Sequence, residues 1–474
     1  MANVRANGRR SGRTVVLPIT AAYLLQPGHH LYAPIGKEKI MRALLAWATV
    51  LVAAIMTIGY VPQSTRATSQ PGQSQSISEL FKLSRAAARR KDFAKAAQLL
   101  EEAVARGKHD SGLLYDTACL WARTGNKDKA FQFLLESVEA GYHQAAHLQR
   151  DNDLLSLHED ARWAKATAEC ERQQTKYLKD HSDPDKTRFI TSDIIRFWKA
   201  YDHAMAAAPK DRAAIVQREY IDPGTVGLED LNRYRRVDAE ELARAIEQYA
   251  NFYKAIRSVT LAIDQQRAET IAAFRKFKRL YAPASFPDTY LVIGEFGGGG
   301  TASGNGLLIA AEMFARKPEV PIMELGAWEK SVFVEPTELP PVIAHEMIHF
   351  HQAYASVSTL LCNCLNEGSA DFLGELASGR LAARTQRIHA WANPRERQLW
   401  DEFQKEMNGA DMSHWLYAGS GKGDRPDDLG YWIGYKITEA YYRYATDKKQ
   451  AIKDILMVKD CNEFLRSSRY AAKF

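Results

Sequence analysis

Cysteine is scarce in this chain, with five in 474 residues, at positions 119, 170, 362, 364 and 461. An odd and scattered set of that size excludes a disulfide scaffold. Cys362-x-Cys364 lacks the two-residue gap usual for zinc ligands, and reads as a disulfide participant or two buried thiols. The body of the chain also lacks excess charge. The net +6 is carried by residues 1–42, where Arg5, Arg9, Arg10, Arg13, Lys37, Lys39 and Arg42 face one acid, Glu38. Residues 43–474 sum to zero, so no overall field gathers phosphates, and nucleic acid is excluded as a partner. A phosphate loop is missing as well. The run Gly297–Gly300, with Gly304 and Gly306, has no accompanying lysine and Ser/Thr, and leads to a strand instead of a helix. It reads as a flexible loop.

What is present is the composition of a folded protein, 46% apolar and 25% charged, at a length that calls for two or three domains. Residues 1–42 form a basic tail, whose true start is Met1 or Met41. Ala43 to Val61 runs uncharged for 19 residues, long enough to cross a bilayer. The bases before it place everything after it outside the cytoplasm. It reads as a transmembrane anchor or a signal peptide, giving a membrane partner through the N-terminal segment and a periplasmic or extracellular body. Residues 62–77 are polar, breaker-rich and linker-like.

A repeat follows over 78–170. Aligning residues 91–107 with 125–141 sets Ala96 on Ala130, Leu100 on Leu134, Val104 on Val138 and Gly107 on Gly141. The constant offset of 34 is the period of the tetratricopeptide repeat, a helix–turn–helix unit that buries its apolar face by stacking. Two units are too few to stand alone, so they are expected to lean on the next domain, and they offer a surface for a protein partner. From 187 to 280 apolar residues recur at helical spacing. TYLVIGEF (289–296) and LLIAAEMF (307–314) have strand character. The expected class is mainly α (α+β): helical repeats, then a domain at 187–474 with a small sheet and a metal-binding helix.

The chemistry lies in His345-Glu346-Met347-Ile348-His349. Two histidines four apart on a helix differ by about 40° around the axis and about 6 Å along it, so both imidazoles reach one ion. Pro340 and Pro341 suit the first turn of such a helix. His351, about 200° from His349, points away and reads as structural. Glu367 follows 18 residues after His349 and supplies a third ligand from a second helix. Asp371, one turn on, accepts the free ring N–H of a ligating histidine. A zinc ion with three protein ligands keeps a position for water and lowers its pKa towards ~7, with Glu346 as general base. One Zn2+ per chain is expected.

A carboxylate third ligand with an acid one turn later resembles the gluzincin metallopeptidases. More of the chain, roughly 187–474, is similar to a group of predicted bacterial zinc-dependent proteases related to the gliding-motility lipoprotein-B-like family. The segments that carry the resemblance include TSDIIRFWKAYD, YIDPGTVGLEDL, FPDTYLVIGEFGGGGTASGNGLLIAAEMF, AHEMIHFHQ, NEGSADFLGELASG and LGYWIGYKITEAYY. It implies a gluzincin-type fold, with an edge strand such as LLIAAEMF aligning a peptide or protein substrate above the zinc helix. In such enzymes a tyrosine or histidine beyond the second helix helps stabilise the oxyanion, and Tyr431 and Tyr435 are the candidates. The expectation is therefore a zinc metallopeptidase. Its alternatives are a tetratricopeptide scaffold with a structural zinc site, and a zinc hydrolase of non-peptide amides or esters.

Overall fold

The computed structural model describes residues 76–107, 109–235, 237–354, 358–417 and 425–474. The basic tail, the apolar segment 43–61 and all but the last two residues of the linker lie outside the described residues. Among the described residues, no helix is long and apolar enough to cross a membrane.

The repeat is visible as four helices: α1 (Ile77–Arg89), α2 (Phe93–Ala105), α3 (Ser111–Arg123) and α4 (Lys127–Glu139). From α1 to α3, and from α2 to α4, the starting residues are 34 apart. The caps repeat too. Ser76, Asp92, Asp110 and Asn126 each accept a hydrogen bond from a backbone N–H in the first turn, satisfying a donor the helix leaves open. Gly107 and Gly141 both sit in the left-handed region, with φ of +97° and +104°, where a side chain would be strained. The aligned residues Ala96, Ala130, Leu100, Leu134, Val104 and Val138 are all buried. Helix Ala161–Asp180 closes this core through Ala166 and Cys170.

A second core runs from Ile194 to Tyr470. The two bodies touch. Asn232 Nδ2 donates to Ser78 Oγ at 3.1 Å, Arg150 to the Tyr354 carbonyl at 3.4 Å, and Tyr177 meets Phe350 with ring centroids 6.0 Å apart.

The second body is mainly helical around one sheet of β1 (Phe189–Ile190), β2 (Thr289–Val292), β3 (Gly300–Ser303) and β4 (Gly306–Ala310), in the order β1-β2-β4-β3. β1, β2 and β4 are parallel, and β3 returns antiparallel beside β4. Two expectations are corrected here. LLIAAEMF does not form the edge. Its strand part, β4, is interior and buried throughout, and Ala311–Phe314 turn into a 3-10 helix. The edges are β1 and β3, the latter drawn from the glycine-rich stretch expected to be loop. A strand buried on both faces selects Leu and Ile, so the most apolar segment goes to the middle. Gly-Thr-Ala-Ser has little strand propensity of its own and is held by pairing with β4.

Three helices set up the site: α5 (Leu339–His351), α6 (Leu360–Ser378) and α7 (Leu429–Tyr444). Pro340 and Pro341 occupy the first turn of α5, where a missing N–H costs nothing. α6 is sandwiched by backbone-close contacts at glycines. A Cβ at Gly374 would lie 3.2 Å from the His345 backbone nitrogen, and one at Gly434 of α7 would overlap the Cys364 carbonyl of α6. Lacking side chains there, the helices approach closely enough for their functional groups to meet.

Candidate metal centre

α5 carries His345 and His349 one turn apart, and α6 brings Glu367 beneath them. The His345 and His349 Nε2 atoms lie 2.9 Å apart. Glu367 Oε2 is 3.5 Å from the first and 3.3 Å from the second. These three residues form the one group of metal-ligating side chains that converges in this way among the described residues.

The partners of the far ring nitrogens decide what the near ones are. His345 Nδ1 meets Asp371 Oδ1 at 2.9 Å, as expected for Asp371. His349 Nδ1 meets Gln352 Oε1 at 2.6 Å. The Gln352 amide is oriented by its other end, where Nε2 donates to the Asn366 carbonyl and to Ser369 Oγ, so Oε1 must accept from the imidazole. The approach of Asn366 Nδ2 to the same ring nitrogen is longer, 3.5 Å, and does not compete. In neutral imidazoles both protons are therefore on Nδ1. Two Nε2 lone pairs and a carboxylate oxygen then face one point in a buried site, an arrangement that is repulsive until a cation enters it.

Protons answer that demand when no metal does. Burial pushes the His345 imidazole down, but the hydrogen bond and charge of Asp371, with the hydrogen bond to Glu367, outweigh it and hold the group well above its ordinary value. His349 is opposed by burial in the same way and raised by Glu367. A metal ion fits the donor set better. Ligand atoms about 2.0–2.1 Å from a tetrahedral zinc lie roughly 3.3 Å from one another, and the three separations here bracket that figure.

Glu346 points beside the cluster and is buried. Its Oε2 has no hydrogen-bond partner among the described residues. β3 passes directly over it. A Cβ at Gly300 would lie 2.8 Å from Glu346 Oε1. His345, Glu346, Asp371, Tyr431, Tyr417 and Arg384 are among the residues lining an open cleft of ≈ 910 Å³, counting its mouth.

The two candidate tyrosines separate. Tyr435 turns away, its hydroxyl donating to Glu375 Oε2 at 2.5 Å. Tyr431 lines the cleft, its ring nearly parallel to His345 at a centroid distance of 6.0 Å. His351 lies apart from the cluster, with Nε2 2.9 Å from the Ser285 carbonyl, and burial lowers it to about 4. Two residues that sequence reasoning missed belong to the centre. Gln352, three residues beyond His349 where α5 ends, fixes that ring. Tyr417 donates to Glu367 Oε1 at 3.1 Å from an irregular segment with no recognisable pattern. The spacing of Gln352 was a usable signal, whereas Tyr417 had none.

Cys362 is bonded to Cys461, tying the start of α6 to helix Cys461–Ser468. Cys364 remains a buried thiol.

Fold and site together define a mainly helical protein with a small sheet and a buried His-His-Glu group able to take a metal ion. Within that class, the family described as gliding motility protein GldB matches residues 179–472. That is more than half of the chain, and the protein belongs to this family. Nothing among curated proteins or solved structures matches it.

Proposed function

We propose that this protein is a zinc-dependent peptidase of the gluzincin type that works outside the cytoplasm. The observation that carries the reading is the convergence of the His345, His349 and Glu367 donor atoms within 3.5 Å, with a buried carboxylate, Glu346, beside them at the floor of a cleft. Zinc held by three protein groups supplies a water whose pKa is near ~7, and hence a nucleophile at neutral pH. Asp371 and Gln352 hold the two imidazoles in the tautomer that presents Nε2. Glu346 takes the proton from the attacking water as the oxygen adds to the carbonyl carbon. It then delivers that proton to the amine nitrogen as the C–N bond breaks. The Tyr431 hydroxyl is suited to donate to the oxyanion formed in between. β3 lies at an edge of the sheet over Glu346, the position at which an extended peptide can add as a further strand.

Three protein donors and an adjacent base favour a catalytic centre over a structural one, which usually has four protein ligands. Export is supported by the Cys362–Cys461 bond, since disulfides persist in oxidising compartments, and by the uncharged segment 43–61. The 34-residue helical pairs we take as tetratricopeptide-type repeats that present or restrain a protein partner.

Glu346→Gln tests the reading. The variant should retain one zinc per chain while chelator-sensitive hydrolysis of a peptide library falls about 100-fold or more. Undiminished hydrolysis in the variant, or none in the zinc-loaded wild type, would count against it.

A further inference from the structure

We infer that Tyr417 is a positioning residue of the metal centre, its phenol fixing Glu367 so that one carboxylate oxygen alone is offered to the ion. The inference rests on the metal-centre reading above and concerns how the third ligand is presented. A carboxylate has two oxygens, and one left free can join the coordination, occupying the position a catalytic site keeps for water. Here the two are divided. Oε1 accepts from the Tyr417 hydroxyl at 3.1 Å, while Oε2 faces the two imidazoles.

The phenol is itself held in place. Tyr417 has φ of +58°, a left-handed backbone uncommon outside glycine. Its N–H donates to Asp428 Oδ1 at 2.6 Å. Asp428 is buried, also left-handed at φ +61°, and ion-paired to Arg384. Two such backbones, eleven residues apart in sequence and tied by one carboxylate, persist only where their surroundings over-determine them. The side chain that this strap delivers lands on a metal-ligating carboxylate. Tyr431, on the neighbouring wall of the same cleft with its ring beside His345, serves as the comparison.

The full chain, stripped of metal, is titrated with Zn2+ against a chromophoric chelator, and the visible spectrum of its Co2+ form is recorded. Tyr417→Phe should bind Zn2+ about 10- to 100-fold more weakly than wild type. Its Co2+ bands should lose intensity as Glu367 gains a second bond to the ion. Tyr431→Phe should retain both the affinity and the bands. Wild-type affinity and bands in Tyr417→Phe, or equal weakening in both variants, would overturn the inference while leaving the metal centre standing. Absence of Zn2+ binding by the wild type would overturn both. Should Tyr417→Phe fail to fold, Asp428→Asn, which slackens the strap without touching the phenol, is judged by the same two readouts.

Discussion

At the scale of single residues, the centre is a set of acceptors waiting for a cation, and protons compete for the place. His345 and His349 are both held above their ordinary value in the metal-free chain, against about 6.5 when unfolded. A raised folded value means that the metal-free fold gains stability below about pH 6.5 and loses it as pH rises through the folded values. The zinc proposed above would reverse the preference, because a metal takes the deprotonated rings. Calorimetry in buffers of different ionisation enthalpy should therefore show protons released on zinc uptake at pH 7, and affinity that weakens as pH falls. Uptake without proton release would contradict the arrangement. Most of this chemistry was legible in the sequence. His345, Glu346, His349, Glu367 and Asp371 follow helical periodicity, and periodicity fixes which side chains share a face. Gln352 keeps a helical spacing from His349 at the end of α5, whereas Tyr417 follows no period, so its convergence on the centre depends on tertiary placement alone.

At the scale of elements, the edge strand and the helix crossings do the positioning. Glycine's lack of strand propensity makes the β3 stretch look like loop in the sequence, yet glycine at 300 is what lets the strand lie against Glu346. A Cβ there would meet the Glu346 side chain at 2.8 Å, so the carboxylate would have to shift. With Glu346 as the base proposed above, Gly300→Ala should lower kcat by up to about 100-fold by displacing it, with zinc content unchanged. An unaltered kcat would show that β3 does not constrain Glu346. The glycines of α6 and α7 were similarly illegible as contacts, although Gly430 and Gly434, four apart on one face, were a signal of close packing. The helices of the 34-residue pairs, by contrast, follow a spacing visible in the sequence. Their register, caps and left-handed glycines recur at one offset, and local chemistry sufficed to fix them.

At the scale of the whole molecule, the body that holds the His-His-Glu group is assembled from segments far apart in sequence and stapled by a disulfide. Cys362–Cys461 spans a sequence separation of 99 and encloses most of α6, all of α7 and Tyr417. Removing it with Cys362→Ser and Cys461→Ser together should cost about 2–4 kcal/mol in urea unfolding. An unchanged midpoint would show that packing alone holds these segments. The pairing itself was not readable from the sequence, since partners a hundred residues apart leave no local trace. The central claim is that two imidazoles and one carboxylate oxygen share a single ion with room for water. Zinc K-edge absorption of the zinc-loaded wild-type chain tests it most directly. The account predicts one zinc per chain surrounded by nitrogen and oxygen alone, with two imidazoles, and loss of the metal in Glu367→Ala. A sulfur neighbour, a third imidazole, or full zinc content in Glu367→Ala would contradict it.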